Sequence, residues 1–230
     1  MDAKKSRKTA EWLDSFAPKR VRRQLLALLA GQCLSYWGGK LLTLNRVHCC
    51  MALPLDEMIP VVPWTTLIYF GCFLFWAVGY AIILRTEPEG THRFFRAELL
   101  GKLICFLFFV AIPTTSARPE ISGSGIFAWF MRFLYAADTP RALFPSMHCF
   151  VSWMCVVGLR GKPQISKAYR ATAVIAALLV FASTLTTKQH VLVDVPAGVA
   201  LAELVYYVSG LFPEKKRLAA KKTDFDKRGT

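Results

Sequence analysis

Charge is what this chain has little of. Only 19% of its 230 residues are charged while 54% are hydrophobic, and the mean hydropathy is +0.38. A soluble domain carries about a quarter of its residues as charges, so these figures set that class aside and point to a membrane protein. Gly (14) and Pro (12) are present in ordinary numbers, which excludes collagen and Pro/Gly-rich disorder. Seven Cys make neither a disulfide framework nor a C-x-x-C pair. Internal repeats and low-complexity tracts are absent. Acidic residues are scarce too, 15 against 29 basic ones, for a net charge of +14. Such an excess can mark a nucleic-acid binder, but here the basic residues form short blocks between long apolar runs. That pattern encodes membrane topology, and nucleic acid is not expected as a partner.

A crossing helix needs roughly 20 apolar residues, because a backbone polar group left unpaired in hydrocarbon is too costly. Six segments qualify. Gln24 to Asn45, Trp64 to Leu84 and Val191 to Phe212 are long enough outright, and Ala97 to Ser116 carries Glu98 and Lys102 near its start. Met147 to Arg160 and Ala171 to Thr187 are shorter and span only with local thinning or snorkelling ends. Ile126 to Ala137 is too short to cross. Its Trp129, Phe130, Phe133 and Tyr135 suit a helix lying in the interface or packed over a site. With the N-terminus placed in the cytoplasm, 23 of the 29 Lys and Arg fall inside and five outside (Arg46, Arg118, Arg132, Arg141 and Lys188), Lys40 lying within the first span. No A-x-A-like site follows Gln24 to Tyr36, so the first span is expected to be retained. The expected organisation is a basic cytoplasmic segment over 1–23, a membrane domain over 24–212 and a basic cytoplasmic tail over 213–230.

Ionisable residues against so apolar a background mark the places to look for chemistry. His190 and Asp194 are four apart at the outer start of the last span, so on a helix they share a face. A carboxylate beside an imidazole fixes its tautomer and stabilises its cation, as a basic or nucleophilic His requires; the plainer reading is a helix-entry pair that satisfies free N–H groups. Pro145-Ser146-Met147-His148 opens the fourth span at its outer end, placing His148 at the depth of His190. Pro145 and Ser146 suit a helix N-terminus, where an anion is favoured; the plainer reading makes Ser146 a cap and His148 an interfacial side chain. The outer loop holds Arg118-Pro119 and, after Asp138, Arg141, two arginines able to grip a phosphate or to sit in solvent. His48-Cys49-Cys50 lacks the partners of a zinc site. Glu203, nine residues from Asp194, falls on the opposite side of its helix and is assigned to packing.

Arg118-Pro119, Pro145-Ser146-Met147-His148 and His190-x-x-x-Asp194, in this order and on these spans, resemble the type-2 phosphatidic acid phosphatase superfamily. Its pattern is a Lys, six residues and Arg-Pro; then Pro-Ser-Gly-His; then Ser-Arg, five residues, His, three residues and Asp. The resemblance implies an all-α, six-transmembrane-helix bundle with a short interfacial helix between the third and fourth spans, and a membrane lipid as the partner. It implies a metal-independent phosphatase acting through phosphohistidine, with no cofactor. Carried over residue by residue, it makes His190 the nucleophile, Asp194 its orienter, His148 the general acid, and Ser146 and Arg118 contacts to the phosphate.

Three positions depart from the pattern. Ala111 stands for the Lys, Met147 for the Gly and Ser183-Thr184 for Ser-Arg, so two phosphate-binding cations are missing. Lys188, Arg141 or Lys40 is expected to replace them, with Lys188 and Arg141 foremost. Similar gaps occur in the sphingolipid-synthase-like branch, which moves a phospho-headgroup to a lipid alcohol. The expectation is therefore a lipid phosphatase on the outer face of the cell membrane, acting on a lipid phosphate monoester or pyrophosphate. The alternatives are a headgroup transferase and a silent membrane scaffold or transporter.

Overall fold

The computed structural model describes residues 18–86 and 88–212, which form eight helices and one pair of two-residue strands. Helix α1 is Lys19–Leu42, α2 Pro54–Met58, α3 Thr66–Arg85, α4 Pro88–Ala111, α5 Ile126–Ala137, α6 Met147–Val157, α7 Lys167–Thr186 and α8 Asp194–Leu211. Strand β1 (Cys49–Cys50) pairs in parallel with β2 (Thr114–Thr115), which accounts for the Cys49-Cys50 dipeptide as backbone pairing. Of the two tails, 1–17 and 213–230 lie outside the described residues, while Lys19 to Arg23 open α1.

The helical class holds, but the count of six spans is not met by length and composition. Among the described residues two helices are long and apolar enough to cross a membrane, Pro63–Arg85 and Lys167–Thr186. The physical reasons for the shortfall differ. Helix α6 has 11 residues, so at 1.5 Å per residue it reaches about 16 Å, half a hydrocarbon core. Helix α1 begins in a basic run, α4 contains Glu98 and Lys102, and α8 contains Asp194 and Glu203.

Helix α6 is short because it is the centre. It packs against α3, α4, α7 and α8, while α1 lies on α4 and α4 on α8. Cys149, Phe150, Ser152 and Met154 are fully buried within it. At Gly198 of α8 a Cβ would stand 2.6 Å from the Ser146 carbonyl oxygen and 3.0 Å from Cys149 Cβ, so only a glycine admits this approach of the two helices. Polar bonds fix the remaining contacts: Trp76 Nε1 donates to Ser152 Oγ at 2.8 Å, joining α3 to α6. The Glu98 and Lys102 expected near a span's start pair at 3.0 Å inside the bundle. Lys102 Nζ also donates to the Leu28 carbonyl at 2.9 Å, and Tyr80 donates to Glu98. Burial makes each charge tolerable only with such partners.

Candidate active site

The α7–α8 connection carries the histidine, and its shape follows from three sets of bonds. At the end of α7 the N–H groups of both Gln189 and His190 reach the Thr184 carbonyl, at 3.0 and 3.1 Å. Lys188 takes a left-handed backbone (φ 54°) that turns the chain there. Asp56 of α2 then pins the far side, its Oδ1 accepting from Leu192 N–H at 2.7 Å and its Oδ2 from Leu53 N–H at 2.8 Å. Asp194 opens α8, and Oδ2 of its side chain accepts from Val191 N–H at 3.1 Å and from His190 Nδ1 at 3.0 Å.

On the α6 side, Thr114 Oγ1 accepts from the N–H groups of Leu143 and Phe144 at 2.9 and 3.0 Å. That fixes the approach to Ser146. The Ser146 side chain caps α6 by accepting from Cys149 N–H at 3.2 Å, and its own N–H donates to the Asp194 carbonyl at 3.3 Å. The starts of α6 and α8 are thus bonded to one another, and the positive ends of two helix dipoles converge where an anion would be stabilised. One turn into α6, His148 Nδ1 lies 3.3 Å from His190 Nε2. Its ring rests among Tyr69, Trp76 and Phe73, with centroids at 4.6, 5.4 and 6.4 Å.

These side chains close one end of a cavity of about 310 Å³. His148, His190, Gln189 and Asp138 supply its polar end; Leu29, Tyr36 and Trp37 of α1, Tyr69, Phe70, Phe73 and Trp76 of α3, and Leu134 of α5 supply most of the rest. Leu29, Cys33, Trp37 and Phe73 line the cavity and are also exposed on the outside of the bundle, so it opens sideways between α1 and α3. Helix α5 covers the site, as one of the two sequence readings expected, and ties down by Tyr135 Oη donating to the Thr187 carbonyl at 3.1 Å.

The sequence-predicted residues therefore divide. His148, His190 and Asp194 meet in one line of hydrogen bonds. Ser146 stands beside them as a cap. Arg118 reaches the site, with Nη2 donating to Gln189 Oε1 at 2.6 Å, Nη1 to the Asp138 carbonyl, and its guanidinium 4.8 Å from the Tyr135 ring centroid. Lys188 and Arg141 do not line the cavity, which corrects their expected part. Lys188 Nζ donates to the Asp56 carbonyl at 2.6 Å, and Arg141 Nη1 lies 3.5 Å from the Leu44 carbonyl. Sequence gives the side of the membrane on which a cation sits, not which carbonyl captures it. Lys40 is buried and paired with Asp138 at 2.5 Å. Glu203 lies in a bidentate pair with Arg160, both contacts at 2.6 Å, and accepts from Trp153 Nε1 at 2.7 Å, in keeping with packing.

Sequence reasoning missed Asp138, with Tyr36 and Lys40 bonded to it, and Gln189. An acid in an outer loop otherwise rich in Arg was the available signal for Asp138; Gln189 offered only its place next to His190. Burial raises the Asp138 pKa, but Lys40 and the Tyr36 hydrogen bond outweigh it and hold the carboxyl below its ordinary range.

A family model for the PAP2 superfamily matches residues 53–208. No curated protein and no solved structure is matched. The matched stretch begins after α1 and contains all three motifs together with the cavity walls from α3, α5, α6 and α8. Over most of its length, therefore, the chain belongs to the PAP2 superfamily, whose members are generally phosphatases.

Proposed function

We propose that this chain is an integral-membrane enzyme that cleaves a phosphate ester of a lipid at the outer face, through a covalent phosphohistidine. With Nδ1–H given to Asp194, the Nε2 lone pair of His190 attacks phosphorus. The P–N bond forms as the P–O bond to the lipid alcohol breaks, and His148 gives that oxygen its proton. In the second step an acceptor hydroxyl loses its proton to His148, its oxygen attacks phosphorus, and the P–N bond breaks to restore His190. In-line attack puts the leaving oxygen beyond phosphorus, so the 3.3 Å contact between the two rings opens when phosphate arrives and His148 turns toward the leaving group.

The observation that carries this reading is the line His148–His190–Asp194 at the polar end of an otherwise aromatic and aliphatic cavity. Polar atoms meet phosphate there while the side opening suits a hydrocarbon tail. A silent scaffold or transporter has no use for a buried carboxylate held against an imidazole, which is costly to desolvate.

With water as acceptor the enzyme is a lipid phosphatase acting on a monoester or pyrophosphate. One observation favours a second reading, transfer of a phospho-headgroup to a lipid alcohol: Lys188 and Arg141 are bonded to backbone carbonyls away from the cavity, and a dianionic monoester would need such cations. The test incubates purified protein in detergent with labelled phosphatidic acid, polyprenyl pyrophosphate or a phosphodiester lipid, with and without diacylglycerol or ceramide. Inorganic phosphate released without an acceptor supports hydrolysis. Acceptor-dependent transfer with no free phosphate replaces it by the second reading.

A further inference from the structure

We propose that the cavity selects a singly charged phosphodiester whose head group donates hydrogen bonds, Gln189 holding the phosphate and Asp138 the head group. The inference rests on the reading of His190 as nucleophile. It starts from Arg118, the cation that the motif assigns to phosphate. Both of its terminal nitrogens are engaged, one with Gln189 Oε1 and the other with the Asp138 carbonyl. Arg118 is thus a positioning residue that sets two neighbours on either side of one guanidinium.

Gln189 is the first of them. Because Oε1 accepts from Arg118, the amide cannot turn over, and Nε2 is fixed as its donor end. The side chain lines the cavity next to His190, is only 2% exposed, and leaves Nε2 buried without a partner. Native sites rarely leave such a donor unpaired, and an oxygen of a phosphate on His190 is the acceptor within this part of the cavity. The amide is neutral, so it serves a phosphate bearing one negative charge without the cation that two would require.

Asp138 is the second. Its Oδ1 accepts from both Tyr36 Oη and Lys40 Nζ, while Oδ2 has no hydrogen bond among the described residues and the side chain, 22% exposed, lines the cavity. Lys40 is neutralised by that pairing. A carboxylate there repels a second phosphate charge and accepts from the hydroxyl or ammonium of a head group.

The test compares three dihexanoyl lipids in one detergent: phosphatidic acid, a monoester; phosphatidylmethanol, a diester with no donor in its head group; and phosphatidylglycerol, a diester with two hydroxyls. Loss of lipid and acid-labile phosphoenzyme are both followed. Phosphatidylglycerol is expected to exceed each of the others by about 10-fold or more in kcat/KM, as for a hydrogen bond to a charged group. Asp138→Asn should shrink its advantage over phosphatidylmethanol, a ratio that a merely structural role would not move. Should that variant fold poorly, Lys40→Met with Asp138→Leu removes both charges together and reads the same ratio. Gln189→Met should lower kcat/KM for both diesters alike, by about 10- to 150-fold. Preference for phosphatidic acid, or a ratio between the diesters that is unchanged in the Asp138 variants, overturns the inference and leaves the phosphohistidine reading intact. Turnover that persists in His190→Ala overturns that reading itself.

Discussion

At the scale of single residues, the hydrogen-bond line assigns a different kinetic signature to each member. His190→Ala should abolish turnover and phosphoenzyme together. His148→Ala should slow lipid substrates strongly yet lose much less with p-nitrophenyl phosphate, whose leaving group needs no proton. Asp194→Asn should fold and lose on the order of 10²-fold or more, since an amide sets the wrong imidazole tautomer. Steady-state rates on a lipid and on the nitrophenyl ester separate the three. Asp138 adds a pH effect. Its carboxyl titrates below the usual range because Lys40 and Tyr36 outweigh burial, so its stabilisation is complete above the unfolded-state pKa of about 4 and is lost as pH falls through the lower folded value. Thermal unfolding from pH 3 to 7 should show a shallower acid decline in Asp138→Asn than in the parent chain. The three motif residues were legible because a four-residue spacing and two helix starts carry tertiary information. Gln189, Asp138, Tyr36 and Lys40 were not, since they converge from four separate segments through Arg118 and an ion pair. Lys188 and Arg141 were misplaced for the related reason that a long side chain's partner is chosen by the fold.

At the scale of elements, the spacing of α6 and α8 decides where His148 stands relative to His190. Gly198→Ala puts a methyl 2.6 Å from a backbone oxygen, and overpacking of that kind costs about 1–3 kcal/mol. A lowered Tm and a fall in activity are expected together. Gly71→Ala in α3 is the matched control, with nothing within 4 Å of the new Cβ; its Tm should be unchanged or slightly raised. Helix α2 is the other determinant. Asp56→Ala removes the acceptor of Leu192 N–H and loosens the His190 turn from outside the cavity, so kcat should fall more than KM rises, with the phosphoenzyme still on His190. Element identity was readable from apolar periodicity, and α5 has the very bounds expected. Helix starts were less so: α4 begins at Pro88, nine residues before the apolar run at Ala97, because a helix continues through polar residues wherever its hydrogen bonds allow. Only the apolar part announces itself in composition. Asp56 left no sequence signal, as its partners are backbone N–H groups far along the chain.

At the scale of the whole molecule, the basic-residue bias makes a topological prediction independent of the chemistry. In a variant lacking the native cysteines, Ser122→Cys should react with an impermeant thiol reagent in intact cells and Phe225→Cys should not; the reverse pattern inverts the orientation. The side opening between α1 and α3 carries a further consequence. If substrate reaches the histidines through that gap, it arrives from the two-dimensional phase around the protein rather than from water, and its lipid product leaves the same way. Turnover should then follow the mole fraction of substrate within the micelle or bilayer. Adding inert detergent at fixed bulk substrate concentration should slow the enzyme by surface dilution, whereas a water-facing site acting on dissolved monomer would follow the free monomer concentration instead.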